Sequence, residues 1–170
     1  DLSKREYKLK TTAVSLNSCI EYGAVRLSGY KKNHILLDPL CRNSEVLLEA
    51  GLYAKGRLIG LDSNYANIKN SKLNAKIANV ELELHHGDLD WIETKIEQCR
   101  VGEVVTVLML REYKEVVRKL FVQARIVLKK QGKLVIICNK TIPEHQDFKL
   151  MKQYTVNKGT SYYILVFQKK

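Results

Sequence analysis

Cysteine is scarce and scattered in this sequence, and its spacing excludes two common uses of the residue. The cysteines form no C-x-x-C pair and stand at Cys19, Cys41, Cys99 and Cys138. The sequence therefore predicts neither a zinc site nor a disulfide framework, and we expect reduced, partly buried thiols. No histidine is placed beside Cys41 by the sequence, so we assign no nucleophile.

Long apolar runs are also lacking. No stretch approaches the roughly 20 apolar residues of a membrane span, and the start has no signal-peptide pattern. We therefore expect a soluble, cytoplasmic protein without membrane association. Its 170 residues, of which 45% are hydrophobic, suit one domain with its own core.

Acidic residues are outnumbered, with 18 Asp and Glu against 29 Lys and Arg, and the formal net charge is +11. Such an excess favours polyanionic partners, nucleic acid first, through phosphate neutralisation. The alternative is that scattered lysines only keep a domain soluble.

The basic residues begin early in the chain. Residues 1–15 are polar and basic without a sustained hydrophobic period, which predicts a lead-in arm or linker before a domain over residues 16–170. Such an arm can also contact RNA. Asp1 opens the sequence without an initiator methionine, so we expect a piece of a longer protein.

Residues 32–62 predict a strand, an acidic turn, a helix and a second strand. The first apolar run ends at Asp38, and the second ends at Asp62, at the spacing where a Rossmann-like unit places a ribose-binding carboxylate. Ser44 is predicted to cap the helix between them, and Asp62-Ser63 to open the next helix. Acids at such ends also commonly act as helix caps, which is the alternative role for both aspartates.

Three further strands are predicted over residues 81–84, 104–110 and 133–138. Asp88 follows the first of them. A helix over residues 115–129 separates the other two, with Gly132 ending it.

A pair of histidines and a closing hairpin complete the pattern. His85 and His86 have no third ligand at a helpful spacing, so we predict no metal site. Two further strands, over residues 152–156 and 161–167, flank a short turn at residues 157–160 and predict an antiparallel hairpin.

This order of elements resembles the class I S-adenosylmethionine-dependent methyltransferases. The diagnostic stretch is Leu37-Asp38-Pro39-Leu40-Cys41, which matches the D-P-F/M-C-G-S-G-T motif over its first four positions. Within that class, the sequence motifs are most similar to those of RNA methyltransferases that follow a THUMP RNA-binding domain and methylate guanine N2 in tRNA or rRNA. The resemblance implies an α/β, Rossmann-like, seven-stranded sheet, mainly parallel with a C-terminal antiparallel hairpin, flanked by helices.

The resemblance further implies S-adenosylmethionine as cofactor, RNA as partner and a missing N-terminal RNA-binding domain or protein partner. Asp62 matches the ribose-binding acid and Asp88 the acid that holds the adenine amino group. The implied cofactor-binding residues are Asp38, Leu40, Cys41, Arg42, Asp62, Ser63, Asp88 and Leu89.

Two family motifs differ in this chain. Arg42 and Ser44 replace the glycines that let backbone amides approach the methionine part of the cofactor. The N/D-P-P-Y loop is replaced by residues 109–113, in which Tyr113 is a candidate for base stacking or for packing. We therefore assign no catalytic residue.

Three functions stay open at the level of sequence. The first is an RNA methyltransferase-like domain of guanine-N2 ancestry. The second is a catalytically inactive module with this fold that binds RNA or protein. The third is a small-molecule methyltransferase, which leaves the basic charge without a role.

Overall fold

The computed structural model describes residues 4–9, 16–109, 113–158 and 160–170, with the backbone alone at residues 113, 157, 158 and 160. Helices and strands alternate over most of this part of the chain. In order they are α1 (Ser18–Ser28), β1 (Ile35–Asp38), α2 (Glu45–Tyr53), β2 (Arg57–Asp62), α3 (Tyr65–Ala78), β3 (Glu83–His86), a 3-10 helix (Leu89–Trp91), α4 (Ile92–Lys95), β4 (Val101–Leu108), α5 (Tyr113–Val127), β5 (Leu128–Cys138), β6 (Phe148–Lys158) and β7 (Thr160–Lys169).

The strands form one seven-stranded sheet in the order β3-β2-β1-β4-β5-β7-β6. Strands β1 to β5 pair in parallel, whereas β7 is antiparallel to both β5 and β6. The predicted fold class and the predicted hairpin are confirmed. Gly159, in the predicted turn, lies outside the described residues.

Alternating strand residues build a core on each face of the sheet. On one face, Leu37 belongs to a cluster with Phe121 of α5. On the other face, Leu36 belongs to a cluster with Val25 of α1 and Leu47 of α2. Cover on both faces explains why the central strands read as continuous apolar runs.

Helix ends correct one prediction from sequence and refine another. Helix α3 begins after Asn64, whose side chain accepts a hydrogen bond from the amide of Ala66, and not at Asp62-Ser63. Ser44 stands at the N-cap position of α2, as predicted, but its side chain makes no capping hydrogen bond. Its hydroxyl instead donates to that of Ser71 on α3, at 2.9 Å.

Three predicted boundaries in the second half also move. Strand β3 begins two residues later than predicted, because Ile59 to Asp62 of β2 pair with Glu83 to His86. Strand β4 begins at Val101 rather than at residue 104. Gly132 does not end α5, which already stops at Val127; it lies in the irregular first part of β5.

Residues 4–9 of the predicted arm pack against the domain. Tyr7 is buried, and its hydroxyl donates to the carboxylate of Glu49 on α2 at 2.6 Å. The Arg5 guanidinium lies 2.8 Å from the same carboxylate. The ammonium of Lys8 lies 3.2 Å from Glu21 and 3.6 Å from Glu45. Two basic groups of the arm are thus neutralised by the domain itself. The rest of the predicted arm, residues 1–3 and 10–15, lies outside the described residues.

Within the described ranges, no helix is both long and apolar enough to span a membrane. The four cysteines form no disulfide in the described structure; Cys41 and Cys138 are buried, and Cys19 and Cys99 are exposed.

Candidate functional site

A cleft of about 630 Å³ opens at the carboxyl ends of the parallel strands. This is where open α/β sheets bind ligands, and roughly 300–1,000 Å³ is usual for a small-molecule site. Its walls come from the turns after β1, β2 and β3, from the end of β4 and from α5. They are formed by Leu40, Arg42, Asp62, Ser63, Asn64, Asn67, Asp88, Leu89, Asp90, Trp91, Val107, Val116 and Lys119.

The cleft brings together six of the eight residues singled out from sequence: Leu40, Arg42, Asp62, Ser63, Asp88 and Leu89. The other two, Asp38 and Cys41, are buried and do not line it. Burial raises the pKa of the Cys41 thiol far above its ordinary value, which agrees with assigning it no nucleophilic role.

Sequence reasoning missed the remaining lining residues. Asn64 and Asn67 follow Asp62 closely in sequence, so the strand-turn-helix pattern around Asp62 could have predicted that they line the cleft. Val107 and Lys119 had no such signal, because they reach the cleft only through strand order and helix packing.

Asp62 organises the floor of the cleft. One carboxylate oxygen accepts the backbone N–H of Arg42 at 2.8 Å. The other accepts the amide of Asn64 at 2.8 Å and the side-chain N–H of Asn67 at 3.0 Å. A carboxylate has about four acceptor sites, so these contacts with the described residues leave one site for a hydroxyl donor from a ligand.

The turn after β1 has backbone conformations that favour glycine, although the residues there are not glycines. Arg42 and Ser44 have φ angles of 50° and 62°, in the left-handed region. That region costs a residue with a side chain about 1–2 kcal/mol, and glycine much less. Hydrogen bonds hold the turn in place: the Ser71 hydroxyl donates to the carbonyl of Arg42 at 2.8 Å.

The Arg42 side chain points across the cleft. Its guanidinium donates to the carbonyl of Val107, near the end of β4, at 3.0 Å. The side chain is half-buried. A positive charge therefore lies between the turn after β1 and the end of β4.

The opposite wall combines acids with apolar surface. Asp88 is exposed and Leu89 is buried, and both follow β3. Trp91 is 51% exposed and packs over Gly87, where an added Cβ would lie 2.9 Å from its ring. Asp90 is paired with Lys119 at 2.6 Å.

The two histidines serve local structure. His85 lies 2.9 Å from Glu83, and His86 lies 3.0 Å from the carbonyl of Ser63. The described part of the chain contains no group of three His, Cys, Asp or Glu side chains that could hold a metal ion.

Asp38 leads to a prediction about pH. Its burial raises the pKa of the carboxyl to about 7 from an ordinary value of 3.8, although the Leu40 amide and the Arg42 charge partly oppose the rise. The folded protein therefore holds a proton that the unfolded chain releases from about pH 4 upward, so stability falls as pH rises towards 7. We expect the free energy of unfolding to be about 3 kcal/mol lower at pH 8 than at pH 5 from this group.

Urea unfolding of the wild type and Asp38→Asn at both pH values measures this contribution. Glu21 is also buried with a raised pKa and acts in the same direction, so the difference between the two proteins is the relevant quantity. An equal pH dependence in both proteins would contradict the assignment to Asp38.

The replacement for the N/D-P-P-Y loop falls mostly outside the described residues. Residues 110–112 and the side chain of Tyr113 are not described. Met109, the last residue before them, is half-buried and continues directly from β4.

Comparison with known proteins gives this geometry a family. Residues 5–142 match the family described as RMKL-like, methyltransferase domain. The chain belongs to this family. A curated relative, a probable tRNA (guanine(10)-N2)-dimethyltransferase of Methanothermococcus thermolithotrophicus, is 29% identical to this RMKL-like domain, with the alignment covering 85% of this chain and 94% of that protein.

Solved structures agree with the fold of this RMKL-like domain. TrmN from Thermus thermophilus superposes with a TM-score of 0.79 and 16% identity over 96% of this chain, which spans about half (51%) of TrmN. An rRNA methylase from Streptococcus thermophilus gives 0.69 and 12% identity, over 93% of this chain and 99% of that one. The predicted resemblance to class I methyltransferases of the guanine-N2 type is confirmed, and so is the prediction of a methyltransferase-like domain.

The residues of the RMKL-like cleft fit the chemistry of S-adenosylmethionine. Asp62 has an acceptor site for a ribose hydroxyl, and the Asp88 carboxylate suits an exocyclic amine. Leu89 and Trp91 add apolar surface for a purine, and Arg42 adds a cation for a carboxylate. The ribose, the adenine and the carboxylate of the ligand thus each have a group of complementary character on the cleft wall.

Proposed function

We propose that this domain transfers a methyl group from S-adenosylmethionine to the exocyclic N2 amine of a guanine in tRNA. The observation that carries the proposal is the cleft at the carboxyl ends of the strands, with Asp62 and Asp88 on neighbouring turns. The choice of substrate follows the Methanothermococcus relative, which is named for this reaction at guanine 10.

The chain's own residues would bind and orient the reactants. Asp62 would hold the ribose, while Asp88 and Leu89 would hold the adenine. The cofactor, when bound, would supply a methyl group on a sulfonium: the new bond joins the amine nitrogen to the methyl carbon, the electron pair of the broken C–S bond goes to sulfur, and the amine loses one proton to solvent. Alignment of the amine with that methyl is then the main task of the protein.

Helix α3 offers a path for RNA from the cleft outward. Lys69, Lys72 and Lys76 are exposed and lie at the i, i+3 and i+7 spacing of one helix face. Tyr65, at the start of α3, is 54% exposed, and the Lys69 ammonium lies 4.9 Å from the centre of its ring. Tyr65 is the first residue of α3 and directly follows the cleft-lining Asn64, so this basic stripe starts at the end of the helix nearest the cleft.

We expect the triple substitution Lys69→Gln, Lys72→Gln and Lys76→Gln to weaken tRNA binding about 10-fold near 0.1 M salt. Each lysine that contacts a phosphate contributes about one unit to the slope of log affinity against log salt, so the loss of three lysines should also make that slope shallower by about 3. Fluorescence anisotropy with labelled tRNA over a salt series measures both quantities.

A matched triple variant removes the same charge from the other end of the sheet. Lys31, Lys32 and Lys55 are exposed and precede β1 and β2, at the amino ends of the strands. Their replacement by glutamine should leave tRNA affinity within about 3-fold, because distant exposed charges are largely screened. Equal losses in the two triple variants would contradict a path along α3.

Methyl transfer itself is tested with tRNA transcripts and isotopically labelled S-adenosylmethionine. We expect label in N2-methylguanosine after digestion to nucleosides and mass spectrometry. Asp62→Ala should lose this product. Cofactor binding without transfer to any tRNA would contradict the proposed reaction and favour the non-catalytic module.

A further inference from the structure

Arg42 places a cation in a cleft rich in acids. None of the ion pairs among the described residues includes Arg42. Lys119, another cation on the cleft wall, is by contrast paired with Asp90. A guanidinium has five N–H donors, and the described contacts of Arg42 give it one acceptor, the Val107 carbonyl.

The backbone of the same residue is already engaged. The Arg42 N–H donates to Asp62 at 2.8 Å, and its carbonyl accepts the Ser71 hydroxyl at 2.8 Å. The amide that a glycine loop would offer to an anionic ligand is thus committed to Asp62. The side chain is the part of Arg42 with donors to spare.

We propose that the Arg42 guanidinium binds the carboxylate of the amino-acid end of S-adenosylmethionine, an inference that rests on the proposed function. Asp62 and Asp88 mark the adenosine half of the cleft, and Arg42 adds the cation on the side of β1 and β4. Guanidinium and carboxylate pair through two parallel hydrogen bonds, and partial burial strengthens such a pair. Val107 holds the guanidinium in position for this contact.

The opposite arrangement has a distinct signature. If Arg42 occupied the space of the amino-acid group, its removal would open the cleft and tighten binding of the whole cofactor. Both arrangements leave the adenosine half unchanged. Two ligands that differ only in the amino-acid group therefore separate them.

The experiment is calorimetric titration of the chain with S-adenosylhomocysteine and with 5′-methylthioadenosine, which shares the adenosine and sulfur but lacks the amino-acid group. Arg42→Met removes the charge at similar length, and Arg42→Lys keeps it. Arg118→Met is the matched control, since Arg118 is exposed on α5 beside Lys119, does not line the cleft, and pairs with Glu115.

We expect Arg42→Met to weaken S-adenosylhomocysteine binding about 10- to 100-fold, the usual range for a lost charged hydrogen bond, and to leave methylthioadenosine affinity within about 3-fold. Arg42→Lys should weaken S-adenosylhomocysteine binding less than Arg42→Met does. Arg118→Met should bind both ligands with wild-type affinity.

Two results would overturn the inference, and they are distinguishable. Unchanged or tighter S-adenosylhomocysteine binding by Arg42→Met, with methylthioadenosine still bound, would reject the carboxylate contact alone. Failure of both ligands to bind the wild type and every variant would reject the proposed cofactor site and the inference together. Thermal unfolding of each variant confirms that folded protein is being titrated.

Discussion

Asp62→Ala is expected to lower the affinity for S-adenosylmethionine at least 100-fold. The substitution removes the acceptor proposed for the ribose and releases three donors, on Arg42, Asn64 and Asn67. A buried donor left without its charged acceptor costs about 1–3 kcal/mol, so the turn after β1 and the start of α3 should both loosen. Isothermal titration with the cofactor measures the loss of affinity.

Two further variants separate binding from folding. Asp62→Asn retains one oxygen that can accept from Asn64 and Asn67, so it should remain folded while binding the cofactor weakly. Glu97→Ala removes an equal charge at an exposed ion pair with Arg100 and should not alter affinity. Wild-type affinity in Asp62→Ala would rule out the ribose contact.

Phe121→Ala is expected to lower the free energy of unfolding by about 3–5 kcal/mol, the usual cost of such a truncation in a core. The ring is 1% exposed and stacks on His145 at a centroid distance of 4.8 Å. It also meets Phe148 and Phe167 edge-on, at 5.3 and 5.1 Å. Phe121 therefore connects α5 to both strands of the hairpin.

Urea unfolding followed by circular dichroism measures that loss. Phe121→Leu keeps most of the volume and should cost about 1–2 kcal/mol. Equal losses in the two variants would show that the aromatic contacts with the hairpin, rather than filled volume, account for the stability at this position.

The central strands were predictable because their signal is local. The apolar runs that end at Asp38 and Asp62 are buried on both faces, and the structure ends β1 and β2 at these residues. The third strand carried a weaker signal, since its residues are only half-buried or exposed. Its first and last residues are set by pairing with β2. Pairing between segments that are distant in sequence cannot be predicted from a local hydrophobic pattern.

The site residues differ in the same way: those near strand ends could be predicted from local sequence, and those positioned by distant contacts could not. Ser63, Asp88 and Leu89 lie next to strand ends, so a motif read from sequence placed them in the cleft. The direction of the Arg42 side chain depends on a carbonyl 65 residues away. Ser44 is the N-cap residue that its type predicted, but its left-handed conformation and its hydrogen bond to Ser71 could not be predicted from residue type.

The order of the last three strands has a consequence for synthesis on the ribosome. Strand β7 follows β6 in the chain but lies between β5 and β6 in the sheet. Until β7 has emerged from the exit tunnel, the edge of β5 has no partner, and its buried residues Leu134 to Cys138 form an apolar edge open to other chains. A nascent chain that stalls before β7 should therefore depend on chaperones, even though the strands that carry the cleft are already complete.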